Sequence, residues 1–356
     1  MKKLITVLLT AMLFIASSAY ADGTLEDANK AYEDKNYAQA IKIYKALALK
    51  GDVLAQSNLG YMFSKGDGVA QDYTEAVKWY KLAAVKGDAS AQTSLGYMFG
   101  KGEGVAQDNT EAVKWYKLAA EQGYGEAQFN LGVEYELGQG IQQDYVEAVK
   151  WYKLAAEQGL ANAQTMLGLK YANGQGLALN HTEAVKLFKL AAEQGYAIAQ
   201  NNLASEYVDG KGIAQDYAEA VRLYRLSAAQ GYAGAQGNLG QMYYRGNGVV
   251  QSYAEAIKWY KLAALQGLAE AQNNLGVMYD KGEGVVQNYV AAHLWFNLAG
   301  AQGIKGAAEN RDLVAKKMTA EQISQAQKLA QDCLASKYKN CSIVASPLKQ
   351  KSKTKN

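Results

Sequence analysis

The chain has 356 residues, 49% hydrophobic and 20% charged, with a formal net charge of +3. That is too apolar for an intrinsically disordered protein, and too close to neutral to read as a nucleic-acid binder. With 2 histidines and 2 cysteines, most metalloenzyme, thiol-protease and Ser-His-Asp chemistries lack their parts.

The chain opens with Lys2 and Lys3, an apolar run from Leu4 to Ala16, and small residues in Ala19-Tyr20-Ala21. Residues 1–21 are expected to be a secretory signal peptide cleaved before Asp22, giving a periplasmic or secreted protein. The run is short for a membrane span, and no later segment is expected to cross a bilayer. Cleavage removes two lysines and leaves 35 basic against 34 acidic residues. Residues 22–52 come next, where Ala31-Tyr32 and the stretch from Tyr37 to Ala48 read as a short helix pair.

From residue 53 to 304 the sequence repeats every 36 residues, seven times. The register is set by Gln56, Gln92, Gln128, Gln164, Gln200, Gln236 and Gln272. Leucine follows three residues later in every copy, then glycine in six copies and Ala204 in the fifth. A Gly-x-Gly closes each first half. All five tryptophans (Trp79, Trp115, Trp151, Trp259, Trp295) share one position, filled by Leu187 and Leu223 in the other copies.

Each copy predicts two helices. In Ala89 to Tyr124, Ala91, Leu95 and Phe99 recur every four residues over a helix from Ala89 to Gly100. Lys101 to Val105 is the turn. Asp108 can cap the second helix, and Glu111 suggests a capping box. Ala112, Trp115, Tyr116, Ala119 and Ala120 form its apolar stripe, and Gly123 ends it. One pair cannot bury that stripe alone, so neighbouring pairs are expected to stack as an all-α, α/α solenoid: a right-handed superhelix with a concave face.

The pattern Ala-Gln-x-x-Leu-Gly-x-x-Tyr, Gly-x-Gly-Val, Ala-x-x-Trp-Tyr-x-x-Ala-Ala-x-x-Gly resembles the Sel1-like repeat, a relative of the tetratricopeptide repeat. The fourth copy departs most, with Leu177, Asn180-His181 and Leu187-Phe188. Residues 22–52 resemble a tetratricopeptide cap. Residues 305–345 resemble the C-terminal helical cap of bacterial members, and Thr319-Ala320-Glu321-Gln322 is a capping box. Residues 346–356, with Lys349, Lys351, Lys353 and Lys355, read as a disordered basic tail.

Cys333 and Cys341 are eight apart and suit a structural disulfide in an oxidising compartment, with two free thiols as the alternative. His181 is expected at the surface, and His293 satisfied or partly exposed. No spacing points to a metal or a cofactor. Some members of the resembled family are hydrolases of the β-lactamase type, so a periplasmic hydrolase is the alternative function. That association belongs to cysteine-rich members, and no repeat here contains cysteine. The Ser-x-x-Lys strings starting at Ser336, Ser346 and Ser352 lack companion motifs.

The resemblance implies a non-enzymatic scaffold that binds a protein or peptide partner along the first helices. The expected groove residues are Asn58, Tyr61, Tyr97, Phe129, Asn130, Glu134, Lys170, Asn202, Glu206, Asn238, Met242 and Asn274. An asparagine row can donate to and accept from an extended backbone. Terminal caps favour a monomer.

Overall fold

The computed structural model describes residues 23–339 and 341, so the expected signal peptide over 1–21 and the expected basic tail over 346–356 lie outside the described residues. The described chain is helical throughout and divides into two compact units at Leu179 and Asn180. Unit one holds α1 (Leu25–Glu33), α2 (Tyr37–Leu49), α3 (Val53–Lys65), α4 (Tyr73–Ala84), α5 (Ala89–Lys101), α6 (Asn109–Glu121), α7 (Gly125–Leu137), α8 (Tyr145–Glu157) and α9 (Ala161–Asn173). Unit two holds α10 (His181–Glu193), α11 (Ala197–Asp209), α12 (Tyr217–Ala229), α13 (Ala233–Arg245), α14 (Tyr253–Ala264), α15 (Ala269–Lys281), α16 (Tyr289–Ala301), α17 (Ala307–Ala315) and α18 (Ala320–Ala335). The architecture is that of an all-α helical-repeat solenoid.

The second helices begin where an aspartate can receive backbone N–H groups. Asp108 accepts from the Glu111 N–H at 3.0 Å. The return half of the expected capping box does not form. Glu111 instead takes the Lys114 ammonium at 2.6 Å, and Glu75, Glu183 and Glu219 pair with the cation three residues on in the same way. A basic residue one turn away competes better for the carboxylate than the helix N-terminus does. Thr319 and Gln322 do form the reciprocal box, at the start of α18.

Small residues set the helix spacing. A Cβ on Gly132 would stand 2.7 Å from the Tyr152 ring, and Gly60, Gly96 and Gly240 face Tyr80, Tyr116 and Tyr260 in the same relation. The turn glycine Gly104 lies over the start of α4, where a Cβ would sit 2.3 Å from the Tyr73 carbonyl. The invariant glutamine is a buried tie. Gln92 donates to the Ala84 carbonyl at 3.0 Å, and its own Oε1 accepts from Gln122 at 2.7 Å. The same pair of bonds recurs at Gln128, Gln200, Gln236 and Gln272. Each glutamine thereby adds a second hydrogen bond to a carbonyl at the end of the preceding second helix, which also accepts the N–H of the turn glycine, as Ala84 does from Gly87 at 3.0 Å.

At the C-terminal end α18 packs on α16. Trp295 and Leu298 are fully buried there, in a cluster with Ala330, Cys333 and Cys341. Cys333 and Cys341 are disulfide-bonded.

Candidate partner-binding site

The first helices of unit one, α3, α5 and α7, line a cavity of about 360 Å3. Tyr61, Tyr97 and Asn130 meet there, so three of the expected groove residues share one site. Tyr73, Tyr80 and Tyr124 complete a tyrosine-rich wall with Ser64, Ser90, Thr93 and Ser94. Tyr61 and Tyr97 are 43% and 47% exposed, high for such large rings. Tyr80 is buried; desolvation pushes its hydroxyl pKa up, and Ser64 and Ser94 pull it part of the way back. Rings carried on rigid helices present large contact area at small entropic cost, and the hydroxyls around them can donate or accept. Tyr73 and Tyr124 escape a sequence search because they stand at helix starts, outside the repeat's core pattern.

The asparagine row is mostly committed within the protein. Asn58 donates to Asn29 at 3.4 Å, and Asn238 donates to Asn201 at 3.0 Å. Asn202 accepts from Asn201 at 3.4 Å. Asn274 faces the Tyr260 hydroxyl and lines a second cavity of about 200 Å3 in unit two, with Val277 and Met278. Asn130 alone of the five faces the tyrosine-rich cavity.

Three expected groove residues are relocated by the structure. Lys170, Glu206 and Met242 are buried, at 2%, 8% and 3% exposure. They stand three residues after Leu167, Leu203 and Leu239, on the buried stripe of their helices. Tyr61 and Tyr97 occupy the preceding position, whose unit-two counterparts are Ser205, Gln241 and Val277. One residue along a helix turns the side chain by about 100°, which separates groove from core. Phe129 packs on the Tyr152 ring at a centroid distance of 5.8 Å.

At the buried position Met62, Met98, Met242 and Met278 fill four copies, and Glu134, Lys170 and Glu206 fill the middle three. Lys170 bonds Glu136 at 2.5 Å and Gln175 at 3.1 Å, and Tyr152 donates to the other Glu136 oxygen at 2.7 Å. Glu206 lies 3.0 Å from His181 Nδ1. His181 is therefore a partner of a buried carboxylate rather than a free surface residue. Burial raises the Glu206 pKa, and His181 and Lys211 oppose it. One oxygen of Glu134 is buried with no hydrogen-bond partner, and burial pushes that carboxyl upward against Lys101. His293 is also corrected: it is 3% exposed with Nδ1 unpartnered, and burial lowers its pKa.

Among the described residues no group of three or more His, Cys, Asp or Glu is placed to hold a metal ion, and no helix is long and apolar enough to cross a membrane. The Ser336 hydroxyl donates to the Cys333 carbonyl at 2.9 Å. Ser346 and Ser352 lie outside the described residues.

Stacked helix pairs that recur every 36 residues define a helical-repeat protein. The model of the Sel1 repeat matches residues 53–88, 89–124, 125–160, 161–196, 197–232, 233–268 and 269–304, and the chain belongs to that family. Sel1 repeat proteins are in general protein-interaction scaffolds. A Sel1 repeat protein from Oxalobacter formigenes is 34% identical, with a TM-score of 0.63 over 67% of this chain and 96% of that one. A protective antigen of uropathogenic Escherichia coli strains, described as displaying an SLR fold, is 31% identical over 90% of this chain and 84% of that one, with a TM-score of 0.42. No curated protein matches the sequence.

Proposed function

We propose that the protein is exported to the periplasm or beyond and acts there as a non-catalytic adaptor. It holds an extended segment of a protein partner along α3, α5 and α7. The observation that carries this reading is the convergence of Tyr61, Tyr97 and Asn130 on one cavity with three further tyrosines. Exposed tyrosines in a preformed recess are typical anchors of protein interfaces. The export half of the reading rests on the Lys2-Lys3, Leu4–Ala16 and Ala19-Tyr20-Ala21 pattern.

The test is affinity capture with crosslinking in the envelope, using residues 22–356 and a Tyr97→Ala/Asn130→Ala variant. A partner held by the parent and lost by an equally stable variant supports the adaptor reading. Equal capture by both excludes this cavity as the binding site. Recovery of the unprocessed chain from the cytoplasm alone refutes export.

A further inference from the structure

We infer that the unit-one cavity is selective for a cationic side chain, arginine or lysine, on the segment it holds. This rests on the adaptor reading above and gives it a chemical preference.

The formal charges on the cavity wall are Lys65, Glu103 and Glu126. The Lys65 ammonium lies over the Tyr61 ring, 5.6 Å from its centroid. The cation of the wall is thus already placed on an aromatic face, and two carboxylates remain. Neither Glu103 nor Glu126 has a side-chain partner among the described residues.

Glu103 is unpaired for a reason that lies in the repeat. The middle residue of the Gly-x-Gly turn is also acidic at Asp67 and Glu283. There each carboxylate accepts a tyrosine hydroxyl, from Tyr32 at 2.6 Å and from Tyr244 at 3.0 Å. The residue matching Tyr244 in the repeat before Glu103 is Ser64. Its hydroxyl is spent on its own helix, donating to the Tyr61 carbonyl at 2.7 Å. Two sibling turns fill the acceptor, and the turn beside the cavity leaves it open.

Glu134, one turn beyond Asn130 on α7, is not part of the cavity wall, so the wall carries two carboxylates against one ammonium. The cavity therefore combines an excess of acceptor charge with the tyrosine faces of Tyr73, Tyr97 and Tyr124. Aromatic faces attract cations, and carboxylates give the charge-assisted hydrogen bonds a guanidinium or ammonium needs. A volume of about 360 Å3 has room for such a head group with its methylene stem.

The probe is a phage-displayed library of random ten-residue peptides, selected on mature residues 22–356. It is run in parallel on Tyr97→Ala and on Glu103→Gln/Glu126→Gln, each checked for an unchanged unfolding midpoint. The expected result is arginine or lysine enriched at one peptide position on the parent. That enrichment disappears on the double glutamine variant, and all binding disappears on Tyr97→Ala. Changing the selected cation to glutamine in a synthetic peptide should weaken its Kd about tenfold, the scale of one charge-assisted contact. Peptides that need Tyr97 but show no cation preference would overturn the selectivity and leave the adaptor reading intact. A parent that enriches nothing beyond the Tyr97→Ala background would overturn both.

Discussion

Gln158 donates its side-chain amide to Gln128 Oε1 at 2.8 Å, and Gln128 donates in turn to the Ala120 carbonyl at 3.2 Å. The chain of bonds runs from the end of one repeat, through the buried glutamine of the same repeat, to the end of the repeat before. It turns the most regular letter of the repeat into a stacking tie. Gln128→Leu keeps the volume and removes both bonds, while the Ala120 carbonyl keeps the Gly123 N–H at 3.0 Å and Gln158 keeps the Gly123 carbonyl at 3.0 Å, so the loss is that of two hydrogen bonds, about 0.5–1.5 kcal/mol each. Urea unfolding should show that loss. Gln139→Leu, on the exposed middle of a turn, should change stability by no more than about 0.5 kcal/mol. Equal effects at the two positions would remove the tie from the account of stacking.

The tyrosine that follows the tryptophan is seated by the glycine opposite. Gly132→Ala puts a methyl 2.7 Å from the Tyr152 ring, in a core that has no room for it. Overpacking of this kind costs about 1–3 kcal/mol. Adding Tyr152→Leu to Gly132→Ala should return part of the loss, because the bulk that clashes is then gone. Ala204 holds this position in the fifth repeat, so the expected outcome is a local repacking with the fold retained. A calorimetric melt of the single and double variants measures it, and a double variant as weak as the sum of its parts would contradict the contact.

The repeat, its two helices and their limits were legible in the sequence, because 36-residue periodicity reports on packing that recurs in every copy. The N-cap at Asp108 and the glycine turn were legible for the same reason. Side-chain destinations at non-repeating positions were not. Lys170 and Glu206 look like surface residues by type, yet they stand in a methionine position and are rescued there by Glu136 and His181, from other helices. A one-residue register error was enough to move Met242 from core to groove. Tyr97 is legible because it is an aromatic on a first helix beside the asparagine row, whereas Glu103 is not, because its significance lies in a tyrosine hydroxyl that Ser64 does not supply. The division at Leu179 and Asn180 falls in the copy whose turn and cap depart most from the pattern, where Leu179 replaces the glutamine that elsewhere ties the turn, as Gln143 does to the Glu136 carbonyl at 2.8 Å.

Glu134 should make stability depend on pH. Its folded pKa is raised, chiefly by burial, so the folded chain holds this proton more tightly than the unfolded chain does. No penalty exists below the unfolded carboxyl value of about 4.3. The penalty grows as pH rises through the window up to the folded value and stays in place above it. Glu134→Met restores the residue of the first, second, sixth and seventh repeats. It should raise the unfolding midpoint at pH 7, with the gain shrinking as pH is lowered to 4. Denaturant melts of parent and variant across that range give the difference directly, and a gain independent of pH would assign the effect to packing alone.

The disulfide should hold the C-terminal cap over a surface that cannot face water. In the sixth repeat the residues around the tryptophan are Lys258 and Leu262, and Leu262 is 42% exposed. In the seventh the same positions are Leu294 and Leu298, both at 0% exposure beneath or beside the cap. The second helix α16 has thus exchanged a lysine for a leucine in step with being covered by α18. Closing the short loop between Cys333 and Cys341 contributes about 2.5 kcal/mol on chain entropy. Reduction, or Cys341→Ser, should therefore weaken the docking of α18 before it affects the repeats of unit one. Hydrogen exchange should speed up in α18 and over Leu294 to Leu298, while α5 to α7 keep their protection. If reduction leaves exchange over α16 unchanged, packing by Ala326, Ala330 and Val314 is sufficient to hold the cap, and the bridge has no clamping role.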